Sequence, residues 1–109
     1  MKNSLSANQL REIQAVLRKH TAISAAVLFG SRALGNFKET SDIDIALKGN
    51  VDTAMALTIK DELEEDTCIP LFFDVISYAT IENPQLKHHI DEKGVLIYRE
   101  VVLALEVEF

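Results

Sequence analysis

The sequence lacks the features that mark secreted and membrane-bound chains. No apolar run approaches the ~20 residues that a helix needs to cross a bilayer, and the opening stretch MKNSLSANQ lacks the apolar centre of a signal peptide. The one cysteine, Cys68, has no second thiol with which to form an internal disulfide. We therefore expect a cytoplasmic protein without membrane contact, in which Cys68 is a small core residue.

Basic residues are also few in this sequence. Eleven lysines and arginines stand against 17 aspartates and glutamates, which gives a net charge of −6, and the basic residues are scattered along the chain. A protein that binds DNA or RNA usually carries a basic stripe. The charge therefore argues against a nucleic-acid partner, and an anionic substrate would need a metal ion or a local cluster of donors.

The length and the apolar content fit a single folding unit. Hydrophobic residues make up 48% of the 109 residues, which is enough for one core but not for two. The sequence has no internal repeat, linker or low-complexity segment. Residues 1–109 are therefore predicted to form one domain, with the apolar tail at about 101–109 unassigned, because it fits a helix, an added edge strand or a stretch added to the natural chain.

Periodic apolar residues predict helices that alternate with strands. Ser6 and Gln9 have the capping-box spacing that opens a first helix, and Asn83 followed by proline is typical of the start of the last one. Helices are expected at about 6–20, 51–65 and 84–94, a turn or one helical turn at 31–35, and strands at 25–29, 42–48, 71–77 and 95–98. This order predicts an α+β domain with a small mixed sheet flanked by helices.

Two like charges interrupt the second predicted strand. Asp42 and Asp44 stand in DIDIAL, and strand geometry projects both side chains from one face, ~7 Å apart at Cα. The third strand, LFFDVIS, carries Asp74 on the face that it shares with Phe72 and Ile76. Carboxylates that lie close together repel each other unless they are protonated, solvated or bridged by a cation. If these two strands are neighbours, the three aspartates can converge on one patch that suits Mg²⁺ or Mn²⁺.

A Gly-Ser pair follows the first predicted strand. Gly30 at a strand end lets the backbone approach a phosphate closely, and the following amides and the Ser31 hydroxyl can donate hydrogen bonds to its oxygens. Alone, this pair indicates a structural turn, and an isolated Asp-x-Asp indicates the cap of an exposed strand end. Their combination with Asp74 favours a site for metal ions and phosphates, as in the displacement of a phosphoryl or nucleotidyl group.

The pattern FGSRALG(x5)SDIDIAL followed by FFDV resembles the nucleotidyltransferases built like DNA polymerase β, and among them the minimal nucleotidyltransferases, or MNT proteins. The resemblance covers about Ala25 to Arg99 and includes the closing stretch ENPQLKHHIDEKGVLIY. It implies a polymerase β-like fold and a transfer of AMP from ATP that depends on Mg²⁺ or Mn²⁺. MNT antitoxins modify a tyrosine of a small helical HEPN-type partner, so the resemblance also implies such a partner in a homo- or hetero-oligomer.

The resemblance also implies roles for individual residues. Gly30 and Ser31 match the positions that hold the β- and γ-phosphates of the nucleotide. Asp42 and Asp44 match the first two metal ligands. Asp74 matches the third carboxylate, which also binds metal, positions the incoming hydroxyl and can act as its general base.

One position departs from the pattern of the family. Many relatives carry a basic residue where this chain has Leu34, which puts triphosphate affinity in question and leaves Arg32 or Lys38 to supply the charge. Arg32 is therefore predicted to bind the nucleotide, with a surface position or a salt bridge to an aspartate as alternatives. Ser41 is expected to be a local cap, and His88–His89 to have surface or packing roles.

Two other functions also fit the sequence. A non-catalytic antitoxin could mask its partner with a vestigial site, which the small size and Leu34 support. A nucleotidyltransferase could instead act on a small-molecule acceptor, although the sequence contains no obvious acceptor pocket. Nucleotide titration separates the first alternative from an enzyme, because a masking module holds its partner equally well without ATP or metal.

Overall fold

The computed structural model describes residues 4–100. Its helices are α1 (Ala7–Arg18), α2 (Ser31–Leu34), α3 (Thr53–Glu65) and α4 (Pro84–Lys93), and its strands are β1 (Ile23–Phe29), β2 (Ile43–Gly49), β3 (Phe73–Ser77) and β4 (Val95–Arg99). A short 3₁₀ helix, Tyr78–Thr80, which the sequence pattern did not predict, follows β3. The tail 101–109 lies outside the described residues.

The four strands form one sheet in the order β3-β2-β1-β4. Strand β1 is antiparallel to β2 and β4, whereas β2 is parallel to β3, so the predicted mixed sheet is confirmed. Strand β1 begins two residues earlier than expected. Strands β2 and β3 begin later than expected, which leaves Asp42 just outside β2 because the chain is still turning at Ser41, whose hydroxyl accepts from the Lys38 amide.

Alternation along the strands divides the side chains between two core clusters. The larger cluster joins one face of the sheet to α1 and α3, and its strand members include Leu28, Ile45 and Val75. On the other face Val27, Phe29 and Ala46 pack against Ile90 of α4. Helices therefore cover both faces, and the face under α4 is the one toward which even-numbered residues of β2 and β3 point.

The predicted starts of α1 and α4 are confirmed, whereas α3 begins at Thr53, two residues later than expected. The Ser6 hydroxyl accepts from the Gln9 amide, and the Gln9 side chain accepts from the Ser6 amide, both at 3.1 Å. The Asn83 side chain accepts from the Gln85 amide at 2.9 Å, with proline at the first position of α4. These bonds satisfy amides that the first helical turn leaves without intrahelical partners.

The segment between α3 and β3 is fixed by carboxylates of the helices. Glu64 accepts from the Phe73 amide at 2.8 Å and from the Lys60 ammonium at 2.9 Å. These two bonds lower the pKa of Glu64 below its ordinary value. Because Phe73 opens β3, the bond that its amide donates to Glu64 anchors the start of this strand next to Asp74.

Cys68 is exposed, so its prediction as a core residue is wrong. It lies in the connection after α3, where its amide donates to Glu12 at 2.8 Å and the next residue, Ile69, takes the buried position. Among residues 4–100, no helix combines the length and the apolar character needed to cross a membrane.

Candidate active site

Asp44 and Asp74 lie side by side on neighbouring strands. They are partners in the parallel register of β2 and β3, where strands run ~4.8 Å apart. Their neighbours along each strand, such as Ile43 and Phe73, are buried on the opposite face. The structure therefore brings this predicted pair together, on the sheet face that α4 covers.

Asp42 joins the pair from the residue that immediately precedes Ile43. Its side chain is exposed, whereas that of Asp44 is half-buried. Burial, reinforced by the charges of Asp74 and Asp42, raises the pKa of Asp44 to about 6, and the charge of Arg32 opposes this rise. The three carboxyl groups thus form one electrostatic patch, and a bound cation would stabilise the ionised form of Asp44.

The oxygen donors of this patch have the chemistry of a Mg²⁺ or Mn²⁺ site. Within the part of the chain that the structure describes, no three His, Cys, Asp or Glu side chains are grouped closely enough to hold a metal ion by themselves. Mg²⁺ usually keeps several waters and uses one or two carboxylates together with substrate phosphates. The patch therefore fits an ion that is shared with a phosphorylated ligand.

Gly30 lies against this patch at the end of β1. The β1–β2 register pairs Phe29 with Asp44, which places the Gly-Ser turn beside the carboxylates. Gly30 has φ +74° and ψ −155°, and a Cβ added there would lie 2.2 Å from Asp44 Oδ2. Any larger residue here would strain the backbone at this positive φ and would displace the Asp44 carboxylate. Ser31 then begins α2 half-buried.

Arg32 is buried, with only 3% of its surface exposed. Its guanidinium donates to four backbone carbonyl oxygens: Ser41 and Glu39 at 3.0 Å, and Ser4 and Lys38 at 3.5 Å. The guanidinium also lies over the ring of Phe37, 5.1 Å from its centroid. Arg32 therefore ties α2 to the loop that leads into Asp42.

These contacts bear on the predicted roles of Arg32. The surface alternative is wrong, and within residues 4–100 no salt bridge links Arg32 to an aspartate. Burial lowers the pKa of Arg32, while the charges of Asp42 and Asp44 oppose that decrease. Direct binding of a nucleotide by Arg32 stays a prediction, and the observed contacts support a role in holding the loop.

Replacing Arg32 by methionine is expected to lower the free energy of unfolding by about 2 kcal/mol, because the part-buried loop carbonyls lose their donors. Lysine should recover only part of this loss, since one ammonium group cannot reproduce the planar fork of donors. Urea denaturation measures the effect, with the exposed Lys38→Met as the matched control. Equal stabilities of the Arg32 and Lys38 variants would contradict the role of Arg32 in holding the loop.

Leu34 and Ser41 flank the same loop. Ser41 is confirmed as a local cap, because its hydroxyl accepts from the Lys38 amide at 2.8 Å. Leu34 ends α2 with 51% of its surface exposed, and Lys38 is exposed as well. A basic side chain at either position would therefore project from the surface of this loop.

His89 contacts the site, which the sequence did not predict. Its Nε2 accepts a hydrogen bond from the Gly30 amide at 3.0 Å, and its ring meets Phe29 edge-on with centroids 6.2 Å apart. Of the two roles expected for His89, the structure shows packing. The helical spacing of His89 could have predicted this position. Leu86, His89 and Ile90 lie on one face of α4, and Leu86 and Ile90 pack against the sheet.

Sequence comparisons agree with this geometry. Residues 11–101 match the family described as Polymerase beta, Nucleotidyltransferase. Two proteins of Methanocaldococcus jannaschii named as protein adenylyltransferases, MJ1217 and MJ1379, are 34% identical over 95 residues and 36% identical over 98 residues. These alignments cover 81% and 82% of this chain and 97% and 96% of the relatives. The chain belongs to the polymerase β nucleotidyltransferase family, and it is a nucleotidyltransferase.

Solved structures share the same fold. A toxin–antitoxin structure with AMP-PNP has a TM-score of 0.71 at 20% identity, over 84% of this chain and 73% of that one. A tri-AMPylated Shewanella oneidensis HEPN toxin in complex with its MNT antitoxin gives a TM-score of 0.65 at 18% identity, over 84% and 71%. The predicted α+β fold of the polymerase β type is thus confirmed.

Proposed function

We propose that this nucleotidyltransferase transfers AMP from ATP to a hydroxyl group of a partner protein, with Mg²⁺ or Mn²⁺ as cofactor. One observation supports the proposal most strongly: the Gly30 backbone packs against Asp44, which lies beside Asp74 on the next strand. This contact supports the proposal because it brings a turn that suits phosphate oxygens next to carboxylates that suit a cation. The choice of AMP and of a protein acceptor is supported by the names of the relatives.

In this proposal each residue of the site has a separate role in the transfer. Asp42, Asp44 and Asp74 would hold divalent ions, whose charge would offset that of the triphosphate and of the pyrophosphate leaving group. The Ser31 amide and hydroxyl bind phosphate oxygens, and Gly30, which has no side chain, lets these oxygens come close to the backbone. Asp74, on the edge strand β3, orients the acceptor hydroxyl and accepts its proton as the acceptor oxygen bonds to the α-phosphorus and pyrophosphate leaves.

The acceptor in this proposal is a tyrosine of a HEPN-type helical partner, which the chain neutralises as an antitoxin in a hetero-oligomer. The AMPylated HEPN toxin among the structural neighbours supports this choice. Phe72, two residues before Asp74, is 72% exposed and would lie next to a partner that reaches the site. A cytoplasmic location is part of the same proposal, since the reaction consumes ATP.

Transfer of labelled AMP tests the proposed function. The chain is incubated with its HEPN-type partner, Mg²⁺ and ATP labelled at the α-phosphate, and we expect label on a tyrosine of the partner. The double variant Asp42→Asn with Asp44→Asn should lose roughly 10²–10³-fold in rate, as expected when transition-state charge stabilisation is removed. Asp61→Asn, on the exposed side of α3, is the matched control.

Three outcomes would contradict the proposal. Label transfer that is unchanged in the double variant would exclude the carboxylate patch as the active site. Neutralisation of the partner without ATP or metal would instead favour the masking function, and label on a small molecule but not on the partner would favour the third function.

A further inference from the structure

Helix α4 packs tightly against β1. Asn83 caps its start, and Ile90 is buried against Val27 and Phe29. At its end the contact is so tight that a Cβ on Gly94 would lie 2.4 Å from a methyl carbon of Val27. A side chain presented by this helix toward β1 is therefore held by a rigid support.

His89 is presented in this way, and its contact with Gly30 has a defined chemistry. A backbone amide can only donate, so Nε2 of His89 must offer its lone pair. A neutral imidazole in this position carries its proton on Nδ1. The edge-on contact with Phe29 fixes the plane of the ring, and together the two contacts specify both the orientation and the tautomer.

Gly30 benefits from such support, because glycine has the most flexible backbone of any residue. Its φ of +74° and ψ of −155° lie in a region that glycine reaches as readily as the mirror-image extended region, so the contacts around Gly30 select this one conformation from many. On one side the Gly30 amide is bound by His89, and on the other its Cα lies against the Asp44 carboxylate. The turn is thus held between α4 and the metal-binding patch.

We propose that His89 is a positioning residue for nucleotide binding. It fixes the Gly30 peptide in the orientation from which the adjoining Ser31 amide and hydroxyl reach the triphosphate, and it does not contact the substrate itself. This inference rests on the proposed function of the site, and it assigns His89 a task that a merely packed histidine would not have.

Steady-state kinetics with His89→Ala and His89→Gln test the inference, with the exposed His88→Ala as the matched control. We expect the KM for ATP to rise about tenfold in His89→Ala, equivalent to ~1.4 kcal/mol and similar to one hydrogen bond. The KM for the partner should be unchanged. Glutamine should restore the KM for ATP to within about twofold, because its side-chain carbonyl can accept the same amide hydrogen.

Amide and imidazole ¹⁵N spectra of the ATP-free chain provide a readout that does not depend on activity. We expect the Nδ1–H tautomer of His89 in the wild type, and a Gly30 amide shift that changes in His89→Ala and returns in His89→Gln. An unchanged Gly30 shift in His89→Ala, an unchanged KM for ATP, or no recovery with glutamine overturns the inference. If the wild-type chain neither binds ATP nor transfers AMP, the proposed function is wrong. The spectra then still test whether His89 orients Gly30.

Discussion

Replacing Gly30 by alanine is expected to abolish AMP transfer and to lower the free energy of unfolding by about 2–4 kcal/mol, from backbone strain and overpacking together. The new Cβ would lie 2.2 Å from Asp44 Oδ2, far inside van der Waals contact. Either the carboxylate rotates away from the patch or the end of β1 moves, and each change separates the phosphate turn from the metal ligands. Labelled AMP transfer and urea denaturation measure the two effects.

Gly35→Ala is the matched control for this substitution. Gly35 also has a positive φ, of +89°, but a Cβ there meets nothing within 4 Å. Alanine at Gly35 therefore carries only the strain of the left-handed backbone, ~1–2 kcal/mol, and should leave AMP transfer largely intact. If both variants lost activity to the same extent, the close approach of Gly30 to Asp44 would not be what the site requires.

Replacing Asp44 by asparagine is expected to abolish the metal response and yet stabilise the metal-free chain at neutral pH. The pKa of Asp44 is raised from 3.8 to about 6, so the folded state binds this proton more tightly than the unfolded state. The contribution of Asp44 to wild-type stability is therefore greatest at low pH, declines as pH rises from about 4 to about 6, and stays reduced above that range. Asparagine carries no charge and avoids the decline.

The expected gain from Asp44→Asn is near zero at about pH 4 and about 1–2 kcal/mol at about pH 8, after allowance for the solvent that reaches a half-buried side chain. Urea denaturation in a chelator measures it, with Asp61→Asn as the control. Added Mg²⁺ with ATP should then stabilise the wild type at the higher pH but not Asp44→Asn. Destabilisation by Asp44→Asn at about pH 8, or an unchanged response to Mg²⁺ and ATP, would contradict the electrostatic role of Asp44.

The parts of the fold that follow local rules could be predicted from the sequence. Ser6 and Asn83 cap helices through bonds to residues two or three positions away, and the alternation in β2 and β3 is a property of each strand alone. The juxtaposition of Asp44 and Asp74 needed only one further condition, that these strands be neighbours, and the sheet order satisfies it.

Features that depend on tertiary contacts could not be predicted. The burial of Arg32 depends on three carbonyls of the loop before Asp42 and on the carbonyl of Ser4, and a local pattern does not show where they point. His89 and Gly30 are 59 residues apart in the sequence, and their contact depends on how α4 is placed over the sheet. Cys68 was misassigned because its neighbour Ile69 fills the core position in that connection.

A crystal structure of the complex with Mn²⁺ and a non-hydrolysable ATP analogue tests most directly whether these residues form one site. We expect anomalous scattering from Mn²⁺ in contact with the carboxylates of Asp42 and Asp44, and the triphosphate bound at Gly30 and Ser31 with Asp74 facing the α-phosphate. Mn²⁺ or triphosphate bound elsewhere on the chain, with the Asp44 carboxylate uncoordinated, would contradict the proposed active site.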